Sequence, residues 1–136
     1  MKSILVKAER EYQVAFDTPW RDAISEIISK HDKVLILVSE NLLALTWVNE
    51  YSSPKVKVVT APDGESGKSE EFLMQMWSEC ADFGLTRSDC IVAIGGGATT
   101  DLGGFVAATW LRGISWNAFP TSLAEWLMRL LGERPG

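Results

Sequence analysis

The run Ile91-Val92-Ala93-Ile94-Gly95-Gly96-Gly97-Ala98-Thr99-Thr100-Asp101, continuing from Leu102 to Gly113, decides the fold. A β-branched apolar run that stops at three glycines and gives way to small residues at helical spacing predicts a buried strand, a tight turn and a helix N-terminus. Successive glycines let a backbone approach a ligand without Cβ clashes. The first turn of the helix that follows leaves unpaired N–H groups at the positive end of its dipole. An anion such as a pyrophosphate suits that position. The three glycines alone, however, serve a nucleotide-binding turn and a plain strand-to-helix connection equally well.

The longer string is more specific. Gly95 to Asp101 is followed by Gly104-Phe105-Val106-Ala107-Ala108-Thr109-Trp110-Leu111-Arg112-Gly113 and then by Pro120-Thr121-Ser122-Leu123. It resembles the 3-dehydroquinate synthase family of sugar-phosphate cyclases, in which GGGxxxD leads into F-(V/A)-A-(A/S)-T-(Y/W)-x-R-G and then P-T-(T/S)-L. The resemblance implies a Rossmann-like α/β domain, an open, mostly parallel sheet flanked by helices. It also implies bound NAD, a divalent metal (zinc or cobalt), a small sugar-phosphate substrate and a homodimer. In such enzymes NAD oxidises one substrate hydroxyl transiently, which acidifies the neighbouring C–H and lets phosphate leave before the hydride is returned and the carbocycle closes. By resemblance Gly95, Gly96, Gly97 and Asp101 form the cofactor turn, Thr121 and Ser122 lie near the nicotinamide half, and Arg112 clamps a substrate phosphate or carboxylate. Arginine suits that last task because its planar fork binds such anions bidentately, although a helix-end cation at the negative pole of the preceding helix needs nothing more than the same residue.

The rest of the chain alternates strand and helix patterns. Ser3–Lys7 and Tyr12–Phe16 are short β-compatible runs, a hairpin or two edge strands. Asp17-Thr18-Pro19 opens a helix whose apolar positions Trp20, Ala23, Ile24, Ile27 and Ile28 share one face. Val34–Val38 is a continuous apolar run, as expected of a strand covered on both faces. Ser39-Glu40-Asn41 closes that strand and opens a helix to about Glu50. Glu40 and Asn41 cap that helix on local sequence, whereas the family resemblance sets them near the adenosine end of NAD. Val56–Thr60 is a further strand, and Pro62 to Lys68 a loop. Its Glu65 and Lys68 match the family's G-E-x-x-K element, which implies that they face the cofactor, with Gly67 loosening the segment. Ser69–Phe83 is an amphipathic helix stopped by Gly84, and Ser115–Phe119 is the last strand. On this reading Glu40, Glu65, Gly95 to Asp101 and Thr121 converge at the carboxyl edge of the sheet.

Composition narrows the function classes. The 136 residues suffice for one domain, and 46% hydrophobic with 23% charged residues describes a globular chain with no run long enough to cross a bilayer; the expected location is the cytoplasm. A net charge of -5 argues against a nucleic-acid surface. Cys80 and Cys90 have no metal or redox spacing and read as buried thiols; His31, the one histidine, reads as a helix-end residue without partners for a metal site.

The family likeness stops after Ala124. Relatives continue with x-M-V-D-(A/S)-x-(V/I)-G-G-K-T, whereas Glu125 to Gly136 reads as a short amphipathic segment. Back-translated with one choice of codons and shifted by one base, that segment can be regrouped to encode Met-Val-Asp-Ala-Ala-Val-Gly-Gly-Lys-Thr. The expected organisation is therefore an NAD-binding domain over 1–124 and an out-of-frame tail over 125–136. The family's metal-binding domain is then missing, and Met128 and Arg134 stand where relatives carry a substrate-binding aspartate and a lysine. Three functional readings follow: a synthase portion inactive by itself, a free-standing nucleotide-binding module, and an inactive remnant with an exposed apolar face.

Overall fold

A computed structural model describes residues 20–40, 46–62 and 70–121. The segments at Ser3–Lys7 and Tyr12–Phe16, as well as Asn41, Glu65, Lys68, Ser122 and the tail over 125–136, lie outside the described residues. Strands β1 (Val34–Ser39), β2 (Val56–Ala61), β3 (Cys90–Gly95) and β4 (Ser115–Pro120) form one four-stranded sheet in the order β2-β1-β3-β4. Every pair is parallel. Helix α1 covers residues 20–30 as described, α2 is Glu70–Phe83 and α3 is Gly97–Thr109.

The two-residue period of the strands sorts their side chains onto two covered faces. Leu35, Leu37, Val59 and Ile91 point to one face, where Phe72, Met76 and Cys80 of α2 and Val106 and Ala107 of α3 close over them. Val34, Ile36, Val38, Val92 and Ile94 point to the other, against Ile24 of α1 and Val48. All of β1 and β3 is buried as a result. Each fully buried leucine or isoleucine contributes about 1.5–3 kcal/mol relative to exposure, which is why uninterrupted apolar runs occupy the central strands. Strand β4 lies at the edge of the sheet, with Ser115, Trp116, Ala118 and Pro120 exposed.

Helix α2 ends at the expected glycine. Gly84 takes φ 74, and the N–H groups of Leu85 and Gly84 donate to Cys80 O and Ala81 O at 3.0 and 3.1 Å, the bond pair of a left-handed C-terminal stop. The Lys33 ammonium donates to Phe83 O at 2.9 Å there, a cation on the negative pole of the helix. One element departs from the sequence expectation. In place of a helix running to Glu50, Thr46–Tyr51 is a 3-10 helix. Thr46, Val48 and Asn49 are weak α-formers, and the turn is held instead by burial of Val48 and by contacts with α1, where the Tyr51 hydroxyl donates to Arg21 O at 3.0 Å and Arg21 pairs with Glu50 at 2.6 Å. Helix α3 stops at Thr109, and the chain leaves it through Leu111 and Arg112 with φ of 49 and 68.

Candidate functional site

Because β1 sends the chain to β2 on one side and β3 sends it to β4 on the other, the order β2-β1-β3-β4 reverses direction between β1 and β3. A crevice at the carboxyl ends of those two strands is where open parallel sheets bind ligands. Register places particular residues there. Val38 pairs with Ile94 and Gly95 with Pro120, so Ser39, Gly95 and Pro120 end three neighbouring strands at one level, with Thr121 immediately after. The Thr121 N–H donates to Gly95 O at 2.8 Å, and Ser39 and Thr121 are buried while Glu40 is exposed.

The glycines divide into two kinds. A Cβ on Gly95 would stand 2.8 Å from Thr99 Cβ and 3.0 Å from Ser39 Cβ, so Gly95 is dictated by packing of α3 against the end of β1. A Cβ on Gly96 or on Gly97 would meet nothing within 4 Å among the described residues. Neither has a positive φ; among the described glycines only Gly84 and Gly113 do. Gly96 is extended, with φ -75 and ψ -175, because the chain enters α3 directly from the strand. Among the described residues neither sterics nor backbone handedness requires glycine at 96 or 97. Among the described residues the space over them is open at the start of a 13-residue helix whose N-cap makes no side-chain hydrogen bond, and the first-turn N–H groups and the positive end of the dipole face it.

Helix α3 is also fitted closely to the sheet. A Cβ on Gly103 would lie 2.7 Å from Ala93 Cβ, and one on Gly104 3.1 Å from the Trp116 ring, so this glycine pair brings the helix down onto β3 and β4. Asp101 is exposed one turn beyond the glycines. The contributions of Ser39, Thr99 and Thr100 were not anticipated from the sequence; the hydroxyl pair at the first turn of the helix was the available signal.

The structure does not bring Arg112 to this edge. Helix α3 runs antiparallel to the strands, so its end at Thr109 lies about 20 Å from its start, beside the amino edge where Ser115 pairs with Cys90. Arg112 is exposed there, on a braced and strained turn. Leu111 and Arg112 in the left-handed region cost on the order of 1 kcal/mol each, and the turn is held by Trp110 Nε1 donating to Leu85 O at 3.1 Å, Trp77 Nε1 donating to Thr109 Oγ1 at 3.1 Å, and Gly113 N donating to Trp110 O at 2.8 Å.

The amino edge otherwise carries structural contacts. Asp89, buried, accepts from the N–H groups of Lys33 and Thr86 at 2.9 and 2.7 Å, and His31 Nδ1 lies 2.9 Å from Ser88 O. Both cysteines are buried and free. Burial pushes the Cys80 thiol up to about 11 and raises that of Cys90, so neither offers a thiolate at neutral pH. Among the described residues no cluster of three or more His, Cys, Asp or Glu side chains is arranged to hold a metal ion, and no helix is long and apolar enough to cross a membrane.

The family model described as 3-dehydroquinate synthase N-terminal matches residues 58–128, a span that contains the glycine turn, α3 and β4. The chain belongs to the 3-dehydroquinate synthase family. A 3-dehydroquinate synthase of Streptomyces avermitilis is 37% identical over 115 residues, covering 85% of this chain and 31% of that protein. One from Corynebacterium diphtheriae is 34% identical over 142 residues, covering 100% and 40%. The chain thus spans about a third of the length of these curated relatives. Among solved structures, 2-deoxy-scyllo-inosose synthase complexed with carbaglucose-6-phosphate, NAD+ and Co2+ superimposes with a TM-score of 0.56 at 23% identity over 69% of this chain and 27% of the other, a likeness of fold.

Proposed function

We propose that this chain is the NAD-binding N-terminal portion of a 3-dehydroquinate synthase, the lyase that cyclises a seven-carbon keto-acid phosphate with loss of phosphate. The observation that carries the reading is the pair Gly96 and Gly97, glycines with open space where a side chain would stand and with no positive φ to account for them. Space kept at a helix N-terminus beside a strand-order reversal fits the pyrophosphate of a dinucleotide. On this reading the N–H groups opening α3 bind the pyrophosphate, Asp101 accepts a hydrogen bond from the cofactor, and Glu40, Asn41, Glu65, Lys68, Thr121 and Ser122 line its length. Bound NAD supplies a hydride acceptor; the residues named here orient it and offset its charge. The described residues hold no constellation fitted to the family's divalent metal, so no step is assigned to one.

Arg112 is proposed as the clamp for a substrate anion. At about 20 Å from the glycine turn, it completes that site only when a second copy of the chain brings it there, and a homodimer is accordingly part of the proposal. The test is calorimetric titration of NAD into the 136-residue chain, its Gly96→Val variant and its Asp101→Ala variant, with circular dichroism to establish folding. Gly96→Val should abolish binding, because the side chain occupies the open space. Asp101→Ala should weaken it by about 1–3 kcal/mol, the cost of a bonded group lost from a desolvated interface. Unchanged affinity in a folded Gly96→Val protein overturns the cofactor assignment.

A further inference from the structure

We infer that Thr100 is a positioning residue of the glycine turn, holding the peptide planes on either side of Gly97 so that their N–H groups face the open space. The inference rests on the reading of that turn as an anion site. The Thr100 hydroxyl lies 3.2 Å from both Gly96 O and Gly97 O, a bifurcated donation, and the Thr100 N–H also reaches Gly96 O at 3.0 Å. In a trans peptide the C=O and the following N–H point in opposite directions. Drawing the carbonyls of Gly96 and Gly97 into the helix therefore turns the N–H groups of Gly97 and Ala98 outward, toward the mouth.

A hydroxyl is useful here because glycines have the greatest backbone freedom of any residue. The two planes that must present donors are the ones least restrained by side chains, and an anion that had to order them would bind more weakly. Thr100 is buried, with its oxygen engaged by the turn, so this restraint is built into the free protein. In helix interiors a threonine bonded back to the preceding turn contributes little or mildly destabilises. At this first turn its consequence is orientation.

The experiment titrates inorganic pyrophosphate into the 15N-labelled 136-residue chain and follows the amide signals of Gly97 and Ala98 in wild type, Thr100→Val and Thr100→Ser, with urea unfolding of each. Valine keeps the shape and removes the hydroxyl; serine keeps the hydroxyl. The expected result is about 3- to 10-fold weaker binding for Thr100→Val, with the Gly97 and Ala98 signals displaced before any ligand is added, and recovery of both in Thr100→Ser. Should the valine variant unfold, Thr100→Ala provides the same comparison. Equal pyrophosphate affinity and unmoved signals in a folded variant without the hydroxyl overturn the role of Thr100 alone. Absence of any pyrophosphate response in wild type overturns the anion site together with it.

Discussion

Two alanine substitutions two residues apart should move stability in opposite directions. In Gly95→Ala the new methyl stands 2.8 Å from Thr99 Cβ and 3.0 Å from Ser39 Cβ, atoms fixed to the backbones of α3 and β1, so no rotamer change relieves the contact. Overpacking of this kind costs about 1–3 kcal/mol. In Gly97→Ala the methyl enters open space at the first residue of α3, where φ is not positive. The substitution removes unfolded-state freedom and should stabilise by about 0.4–1 kcal/mol. For a urea slope of about 2 kcal/mol/M the midpoints should fall by about 0.5–1.5 M and rise by about 0.2–0.5 M, respectively. The same Gly97→Ala protein should bind pyrophosphate and NAD at least about tenfold more weakly, since about 1.4 kcal/mol is lost when a methyl holds the ligand off its donors. A Gly97→Ala protein that melts at lower urea would reveal an intramolecular need for this glycine and remove the argument for a reserved ligand space. A stabilised protein with undiminished binding would refute the argument from the other side.

Two further outcomes concern the scaffold. Asp89→Ala should destabilise by about 2–4 kcal/mol, because the N–H groups of Lys33 and Thr86 lose their acceptor in a largely buried setting; a urea midpoint within error of wild type would show that those groups find water instead. Stability should also fall as pH rises from about 9 to about 11, since burial raises the Cys80 thiol from 9.0 to about 11 and the unfolded chain releases that proton first. Cys80→Ala should flatten that part of the profile, and an unchanged slope between those pH values would remove Cys80 as its origin.

The central strands were legible because burial on both faces requires apolar residues at every position of β1 and β3, and such a requirement is written locally. The stop at Gly84 was legible for a related reason, since its φ of 74 is a backbone geometry that few residue types satisfy, and the strand-to-helix junction at the glycine turn was legible from the abrupt end of an apolar run. The 3-10 helix at Thr46–Tyr51 was not, because its stability comes from Val48 entering the core and from Arg21 and Tyr51 reaching across to each other, contacts between segments distant in the chain. Nor did three identical letters distinguish Gly95, wedged between Ser39 and Thr99, from Gly96 and Gly97, where an added Cβ would meet none of the described residues within 4 Å.

Arg112 marks the same boundary. Its neighbours identify it as a member of the family's string, yet its position follows from the direction and length of α3, which carry it to the edge of the sheet opposite the glycine turn. Residue type records local demands on backbone and burial. Which residues share a site depends on strand order, register and helix direction, and these arise only when the free energy of packing the whole chain selects one arrangement of the elements.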